Sequence, residues 1–358
     1  MSGITTVIVS VILFLILITV HEFGHFIVAK STGIKVNEFS IGMGPKLFQK
    51  QKGETIYSLR LLPIGGYCSM EGEGEDSDDP RAFMNVAPWR KFLTILAGPL
   101  MNILFAILIF SIAINFSTVN STIVGEILED SPAEKAGLVE GDEFLSIDGK
   151  DISSFEDVTN NINDSMGKEV EIHLLRDGEE INVNVKPEES EGRYVIGVMS
   201  KQIPYQGNFF QAIKDGFTTT INIFGLLFNF IGQLFTGNIS LNSVSGPVGV
   251  VAAISTAAKS GIYSLLFFFA YISVNLAFFN LLPIPALDGS QLVYIIIEKL
   301  RGKPLKTETI AKINLFGLSF LLILIFIVSI NDVLRIIRWW NEKKNKKNLC
   351  RRCRSRWR

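Results

Sequence analysis

The chain has 358 residues, 48% of them hydrophobic, with 27 phenylalanines, a mean hydropathy of +0.33 and a formal net charge of −1. So little net charge gives no footprint for nucleic acid, and so much apolar content excludes an ordinary soluble domain. Four runs, residues 4–29, 92–116, 262–282 and 313–330, are long enough to cross a hydrocarbon core of ~30 Å, which predicts a polytopic α-helical protein of four transmembrane helices in the lipid bilayer.

The first run carries no charge from Ile4 to Val20, then meets His21-Glu22-Phe23-Gly24-His25 before Phe26-Ile27-Val28-Ala29 resume the apolar stretch. Two histidines four apart lie about one turn from each other on one helix face, a spacing suited to two ligands of a single Zn²⁺. Glu22, beside the first of them, is placed to act as a base toward water. Ionisable groups inside a bilayer are costly and need a functional reason. The run has no basic leader and no small-residue cleavage site, so it reads as a retained helix.

Residues 30–91 carry nine Lys/Arg, whereas nothing basic precedes the first run. That asymmetry places this loop in the cytoplasm and the amino terminus outside. Within it, residues 39–45 and 56–61 alternate like strands, with Gly42 and Gly44 in the first and Pro63-Ile64-Gly65-Gly66 closing the second. Residues 71–79 hold six acidic side chains and read as a solvated loop.

From 117 to about 200 the composition turns soluble and β-rich. Ser131-Pro132 is a good helix start, with Glu134 placed for a capping box and Gly137 for a stop. Gly141-Asp142 and Asp148-Gly149 are turn signals on either side of a strand. These two dozen residues resemble a bacterial PDZ domain, which implies an extracytoplasmic α+β insert that takes peptides by strand addition. Ile196 and Gly197, in Tyr194-Val195-Ile196-Gly197-Val198, could form the loop that receives a terminal carboxylate; an ordinary core strand is the alternative.

Residues 217–235 are nearly long enough to span but contain Thr218, Thr219, Thr220, Asn222, Asn229 and Gln233. Two histidines and a water leave a tetrahedral zinc one ligand short. The only other histidine, His173, falls in the insert, and Asp288 is the best remaining candidate. Asp288 reaches the depth of His21 only if the third run also travels inward, so 217–235 is expected to lie on the membrane as an amphipathic surface helix without crossing.

Asn280-x-x-Pro283-x-x-x-Leu287-Asp288-Gly289 supplies the second motif. Pro283 and Pro285 interrupt the helix, and irregular backbone at membrane depth is tolerated only along a protein-enclosed or watery cavity. Asn280 could hold a peptide carbonyl or an oxyanion; a helix–helix hydrogen bond is its plainer alternative, as an N-cap is for Asp288. The two motifs together resemble the site-2 protease family of intramembrane zinc metalloproteases, of the RseP/RasP type with a single PDZ domain. Ser245-Gly246-Pro247-Val248-Gly249 also matches that subgroup.

The resemblance implies one Zn²⁺ on His21, His25 and Asp288, with Glu22 as general base. It makes the loop of residues 35–70 a membrane-associated β-hairpin that dips into the bilayer and offers its edge to the substrate, a small cytoplasmic hairpin being the alternative; Asn280, Pro283 and the glycines of this β-loop (Gly42, Gly44) would face the substrate. It implies single-pass membrane substrates, such as anti-sigma factors and signal-peptide remnants, already trimmed by an upstream site-1-type protease. It further implies a bacterial cell membrane, with the active site toward the cytoplasm. The expected domains are 1–116 (membrane core and β-loop), 117–200 (PDZ-like), 201–261 (surface helix), 262–340 (second membrane core) and 341–358 (basic tail). Two rival readings are a catalytically inactive membrane scaffold presenting a PDZ domain, and a tethered soluble-type zincin using His173. Nine Lys/Arg after Trp340 would lie outside, against the positive-inside rule, and Cys350-x-x-Cys353 lacks the second pair of a zinc knuckle.

Overall fold

The computed structural model describes residues 3–190, 192–237 and 245–355, without the side chains of residues 64, 235 and 336–355. The expected roles of the basic tail and of Cys350 and Cys353 therefore rest on side chains outside the described ones. The chain divides into two units, Ile114–Asn208 and the remainder.

In the larger unit, helix α1 (Gly3–Ser31) leads to strands β1 (Val36–Lys52) and β2 (Thr55–Met70) and then to α2 (Pro88–Asn115). After the smaller unit come helices of this same body whose ranges are Phe209–Phe235, Pro247–Ser260, Ile262–Leu281, Asp288–Arg301 and Thr307–Ser355. Among the described residues, five helical segments are long and apolar enough to cross a membrane: the four expected ones and Phe209–Leu234. This is a multi-pass membrane protein.

The smaller unit runs β3 (Thr118–Ile127), α3 (Pro132–Lys135), β4 (Glu143–Ile147), β5 (Lys150–Asp151), α4 (Phe155–Asp164), β6 (Val170–Arg176), β7 (Glu179–Val185), β8 (Glu188–Ser190), β9 (Arg193–Val195) and β10 (Val198–Pro204). Its main sheet has the order β10-β3-β4-β6-β7, so β10 is an edge strand. Phe144, Ile147, Ile172 and Leu174 fill a core of its own. The start of α3 follows the sequence: the Ser131 hydroxyl accepts the Glu134 N–H, Pro132 takes the first turn, and Gly137 sits at φ +84° just beyond the end. Asp142 is fully buried and accepts two 2.7 Å hydrogen bonds from Arg176 and one from the Val139 N–H.

The helices after the smaller unit are labelled α5 (Phe209–Phe235), α6 (Pro247–Ser260), α7 (Ile262–Leu281), α8 (Asp288–Arg301) and α9 (Thr307–Ser355). Small residues set how closely they approach. A methyl on Gly24 of α1 would run into the Ala97 carbonyl of α2, so only glycine allows that crossing. Helices α2 and α7 are antiparallel, matched at Phe110–Phe267, Phe105–Phe269 and Asn102–Ser273. Helix α5 begins eight residues before the expected segment. Gly216 packs on Ile107 and Ser111 of α2, and both Phe224 and Phe228 meet Phe278 of α7, so α5 descends beside α7 in the same direction instead of lying flat as the expected surface helix; its apolar face packs along the other helices. Helix α6 has no side-chain cap of its own; the buried Asp332 of α9 accepts the Gly249 N–H at 2.7 Å instead.

The β-loop is larger than the short alternating stretches suggested. Residues 36–41 are flanked by 66–70 and by 56–59, while 46–52 fold against 55–60. Gly42 and Gly44 adopt φ +82° and +83°, and a Cβ on Gly42 would press on the Leu62 and Arg60 carbonyls. They are turning points inside the loop. Of the acidic segment, Glu71 and Asp79 both clasp Lys35, at 3.3 and 3.2 Å, which ties that loop to the end of α1.

Candidate metal centre

His21 and His25 are buried on the α2-facing side of α1, 7% and 6% exposed. Asp288 is the first residue of α8. The chain reaches it through a turn that leaves α7 at Leu282, places Ala286 at φ +74° and is held from α9: the Asn314 side-chain oxygen accepts the Ala286 N–H at 3.3 Å and the Tyr294 hydroxyl at 3.2 Å. Gly317 of α9 has no room for a methyl beside Pro285. Breaking the helix with proline thus frees backbone that a neighbouring helix satisfies, as membrane burial requires.

The three ligand atoms converge. Nε2 of His21 and Nε2 of His25 stand 3.2 Å apart, and Oδ2 of Asp288 lies 2.9 Å from the first and 3.5 Å from the second. Ligands about 2.0–2.1 Å from a tetrahedral zinc stand roughly 3.3 Å apart, so these atoms occupy three corners of such a site. Oδ2 of Asp288 has no hydrogen-bond donor otherwise. Gly98 of α2 closes the cradle: a Cβ there would lie on the His25 ring and 2.8 Å from Cε1 of His21. His21, His25 and Asp288 are the one cluster of metal-ligating side chains among the described residues.

The far nitrogens are also engaged. Nδ1 of His25 donates to the Thr94 carbonyl at 2.8 Å, leaving Nε2 as the ligating atom. Nδ1 of His21 faces the buried Asn102 amide at 3.4 Å, while Oδ1 of Asn102 has no partner. Turning that amide over, which exchanges indistinguishable atoms, lets Oδ1 accept the His21 Nδ1–H and gives that buried oxygen its donor. Glu22 points the other way: its Oε2 accepts the backbone N–H of Cys68 in β2 at 3.0 Å. Glu22, His25, Asp288, Tyr67, Cys68 and Gln291 line a cavity of about 330 Å³.

Sequence reasoning thus placed His21, Glu22, His25 and Asp288 together. Asn280 lies in the last turn of α7 with no hydrogen-bond partner among the described residues, and neither it, Pro283, Gly42 nor Gly44 lines the cavity. The strand bordering the cavity is residues 67–70, not the glycine-containing stretch. Ile196 and Gly197 belong to the smaller unit, where their carbonyls accept the N–H groups of Ala133 and Leu128. His173 sits there too, 3.3 Å from Glu180. Thr94, Gly98, Asn102 and Asn314 escaped the sequence. Gly98 and Asn102, one turn apart in an apolar helix, carried the signal: a small residue and an amide on one face mark close packing and a buried polar contact.

Residues 9–324 match peptidase family M50, and the chain belongs to that family. It is 38% identical over 330 residues to a provisionally named zinc metalloprotease of Clostridium perfringens, covering 92% of this chain and 98% of that one. It is 30% identical over 418 residues to the regulator of sigma-W protease RasP of Bacillus subtilis, covering 93% and 99%. Among solved structures, a PDZ domain of an SdrC-like protein from Listeria monocytogenes matches 23% of this chain and 87% of its own length at 23% identity, with a TM-score of 0.21. The protein is a zinc-dependent metalloendopeptidase of the site-2 protease kind.

Proposed function

We propose that one zinc ion held by His21, His25 and Asp288 serves an endopeptidase that cuts within the membrane, on single-pass substrates already trimmed outside by another protease. Remnants of anti-sigma factors and of signal peptides are the substrate class, and regulated intramembrane proteolysis the setting. The observation that carries this reading is the burial of two imidazoles on α1, a helix with no charged residue before the motif, against a carboxylate delivered by a proline-broken turn. Such groups at membrane depth are kept for chemistry.

Zinc bound there supplies Lewis acidity toward the scissile carbonyl and the attacking water. Glu22 takes a proton from that water as the new C–O bond forms, then passes it to the amine that leaves as the C–N bond breaks. The Cys68 N–H fixes which carboxylate oxygen is free to do so. A substrate helix satisfies its own amides and must be opened before attack; the edge of residues 66–70 supplies replacement hydrogen bonds. Asn280, whose amide has no partner of its own, would hold the substrate carbonyl.

In the membrane, α1, α2, α7 and α9 cross, and α5 dips in from the outer side beside α7, the chain being again at that side in α6. Two contacts support this: Ser255 of α6 bonds Thr6 near the start of α1, and Gly249 bonds Asp332 near the far end of the apolar part of α9, Thr307–Arg335. Both lie at the ends of apolar stretches remote from the metal centre. The smaller unit would then be an extracytoplasmic PDZ-type domain, and the metal would sit toward the cytoplasm.

The test is cleavage of a labelled transmembrane peptide by the purified protein in detergent. Cleavage that stops with chelator, returns with zinc and is absent in Glu22→Gln is expected. Cleavage that survives in Glu22→Gln overturns the assignment.

A further inference from the structure

A second cavity, of about 310 Å³, opens beside the metal site, and Glu73 and Gln291 line both. Its walls come from the segment after β2, the first turn of α2, α8 and the start of α9. Phe83, Met84, Ile295 and Ile310 make most of the surface apolar. Two carboxylates and one ammonium complete it. Lys91, 5% exposed, lies 3.8 Å from Glu298, whose other oxygen accepts the Leu305 N–H at 2.9 Å. Glu298 is therefore occupied. Glu73 is in no ion pair with a lysine or arginine among the described residues; its carboxylate has only the Met70 backbone as a hydrogen-bond partner.

The position matters as much as the lining. Residues 67–70 run along the catalytic cavity, and the chain continues through Glu71 and Gly72 to Glu73. A substrate strand laid along that edge and extended past Met70 arrives at the second cavity. This end of the unit holds the loop between β2 and α2, the cytoplasmic side in the proposed topology. The stretch of a membrane protein just inside the cytoplasmic face is where lysine and arginine concentrate. Such side chains bury a hydrocarbon stem and keep a cationic head at a polar exit.

We propose that this cavity is a substrate subsite for one lysine or arginine on the cytoplasmic flank of the cleaved span, its stem against Phe83, Met84 and Ile310 and its head at Glu73. The inference rests on the proposed function above and adds a specificity determinant to it. An excess of negative charge in the lining and the continuity of the two cavities favour this occupant over an acidic or purely apolar one.

The experiment scans a single lysine through the first six positions of an otherwise uncharged flank in a synthetic transmembrane peptide, measuring chelator-sensitive kcat/KM with the intact protein in detergent. Lysine at one position, or two adjacent ones, should raise kcat/KM about three- to fivefold over glutamine, the range of a partly exposed ion pair. Glu73→Gln should flatten the scan, and Glu73→Lys should shift the preference at the same position from lysine to glutamate. Using the ratio between peptides removes any general loss of activity in the variants. A flat scan in the unaltered protein, or a preference that persists in both variants, overturns the subsite while leaving the protease intact. No chelator-sensitive cleavage of any peptide overturns the proposed function and the subsite with it.

Discussion

Asn102 is fully buried, contacts no solvent and yet leaves Oδ1 without a donor unless it receives the Nδ1–H of His21. Groups that orient a metal-ligating imidazole typically contribute 10–100-fold in metal affinity. Asn102→Leu should therefore weaken zinc binding about tenfold or more, whereas Asn102→Asp, which keeps an acceptor at that position, should lose much less. Titration against a fluorescent chelator reads this independently of proteolysis; equal losses in the two variants would deny the contact. Gly98 makes a steric counterpart. Its added methyl would collide with both rings, so Gly98→Ala should lower metal occupancy while the helical circular dichroism of the protein stays unchanged.

At the scale of elements, what the sequence disclosed depended on whether chemistry or packing set the pattern. His21, His25, Glu22 and Asp288 were legible because their types and spacing are unusual in an apolar run. The turn that carries Asp288 was legible through Pro283 and Pro285, but its support by Asn314 was not, since that contact joins α9 to a segment 28 residues away. The β-loop gave only part of itself away. Alternation marked two strands, and nothing in periodicity says that residues 36–41 would take neighbours on both sides. Ser245-Gly246-Pro247-Val248-Gly249 stood out in the sequence without a reason; the fold supplies one. Gly246 and Gly249 leave space for the Asp332 carboxylate, with no more than 3.1 Å between it and a Cβ at either position. Asp332 caps α6 from another helix and also pairs with Arg335 at 3.1 Å. Removing a buried cap and leaving its N–H unsatisfied costs about 1–3 kcal/mol. Asp332→Ala should lower the thermal midpoint in detergent and Asp332→Asn should lower it less, with the metal site unaltered in chelator titrations.

The smaller unit makes its own pH-dependent contribution. Burial pushes the Asp142 carboxyl up, but the Arg176 guanidinium and the Val139 N–H outweigh that and hold it below the ordinary carboxylate value. A carboxylate whose folded value is depressed stabilises the fold above its unfolded value and loses that contribution as pH falls through the folded one. Asp142→Asn should thus speed amide exchange around Phe144 and Ile172 at neutral pH, and the gap from the unaltered protein should narrow below about pH 4. A gap that widens in acid would contradict the ion pair.

Over the whole molecule, the question is why a protease buried in the bilayer carries a soluble unit with its own core. An intramembrane site is reached by substrates that must slide in laterally, and a bulky ectodomain on a substrate would meet whatever stands on the outer face. In the proposed topology a folded unit of residues 114–208 would obstruct an untrimmed substrate while leaving a short stub free to pass, and would need no ligand to do so. On this reading the edge strand β10 and the Ile196–Gly197 turn are secondary to bulk. Deleting residues 125–198 should then permit cleavage of an untrimmed substrate and leave the rate on a trimmed one within about twofold, the scatter expected of a change remote from the chemistry. A narrower lesion separates size from recognition. Gly197→Trp, whose Cβ alone would strike Ser131 and so distort the turn at which a peptide would add, should leave discrimination between trimmed and untrimmed substrates as it was. If the deletion leaves discrimination intact, obstruction is not the mechanism. If Gly197→Trp abolishes cleavage of the trimmed substrate alone, the unit delivers substrate by binding it, and the edge of β10 becomes the place where that delivery begins.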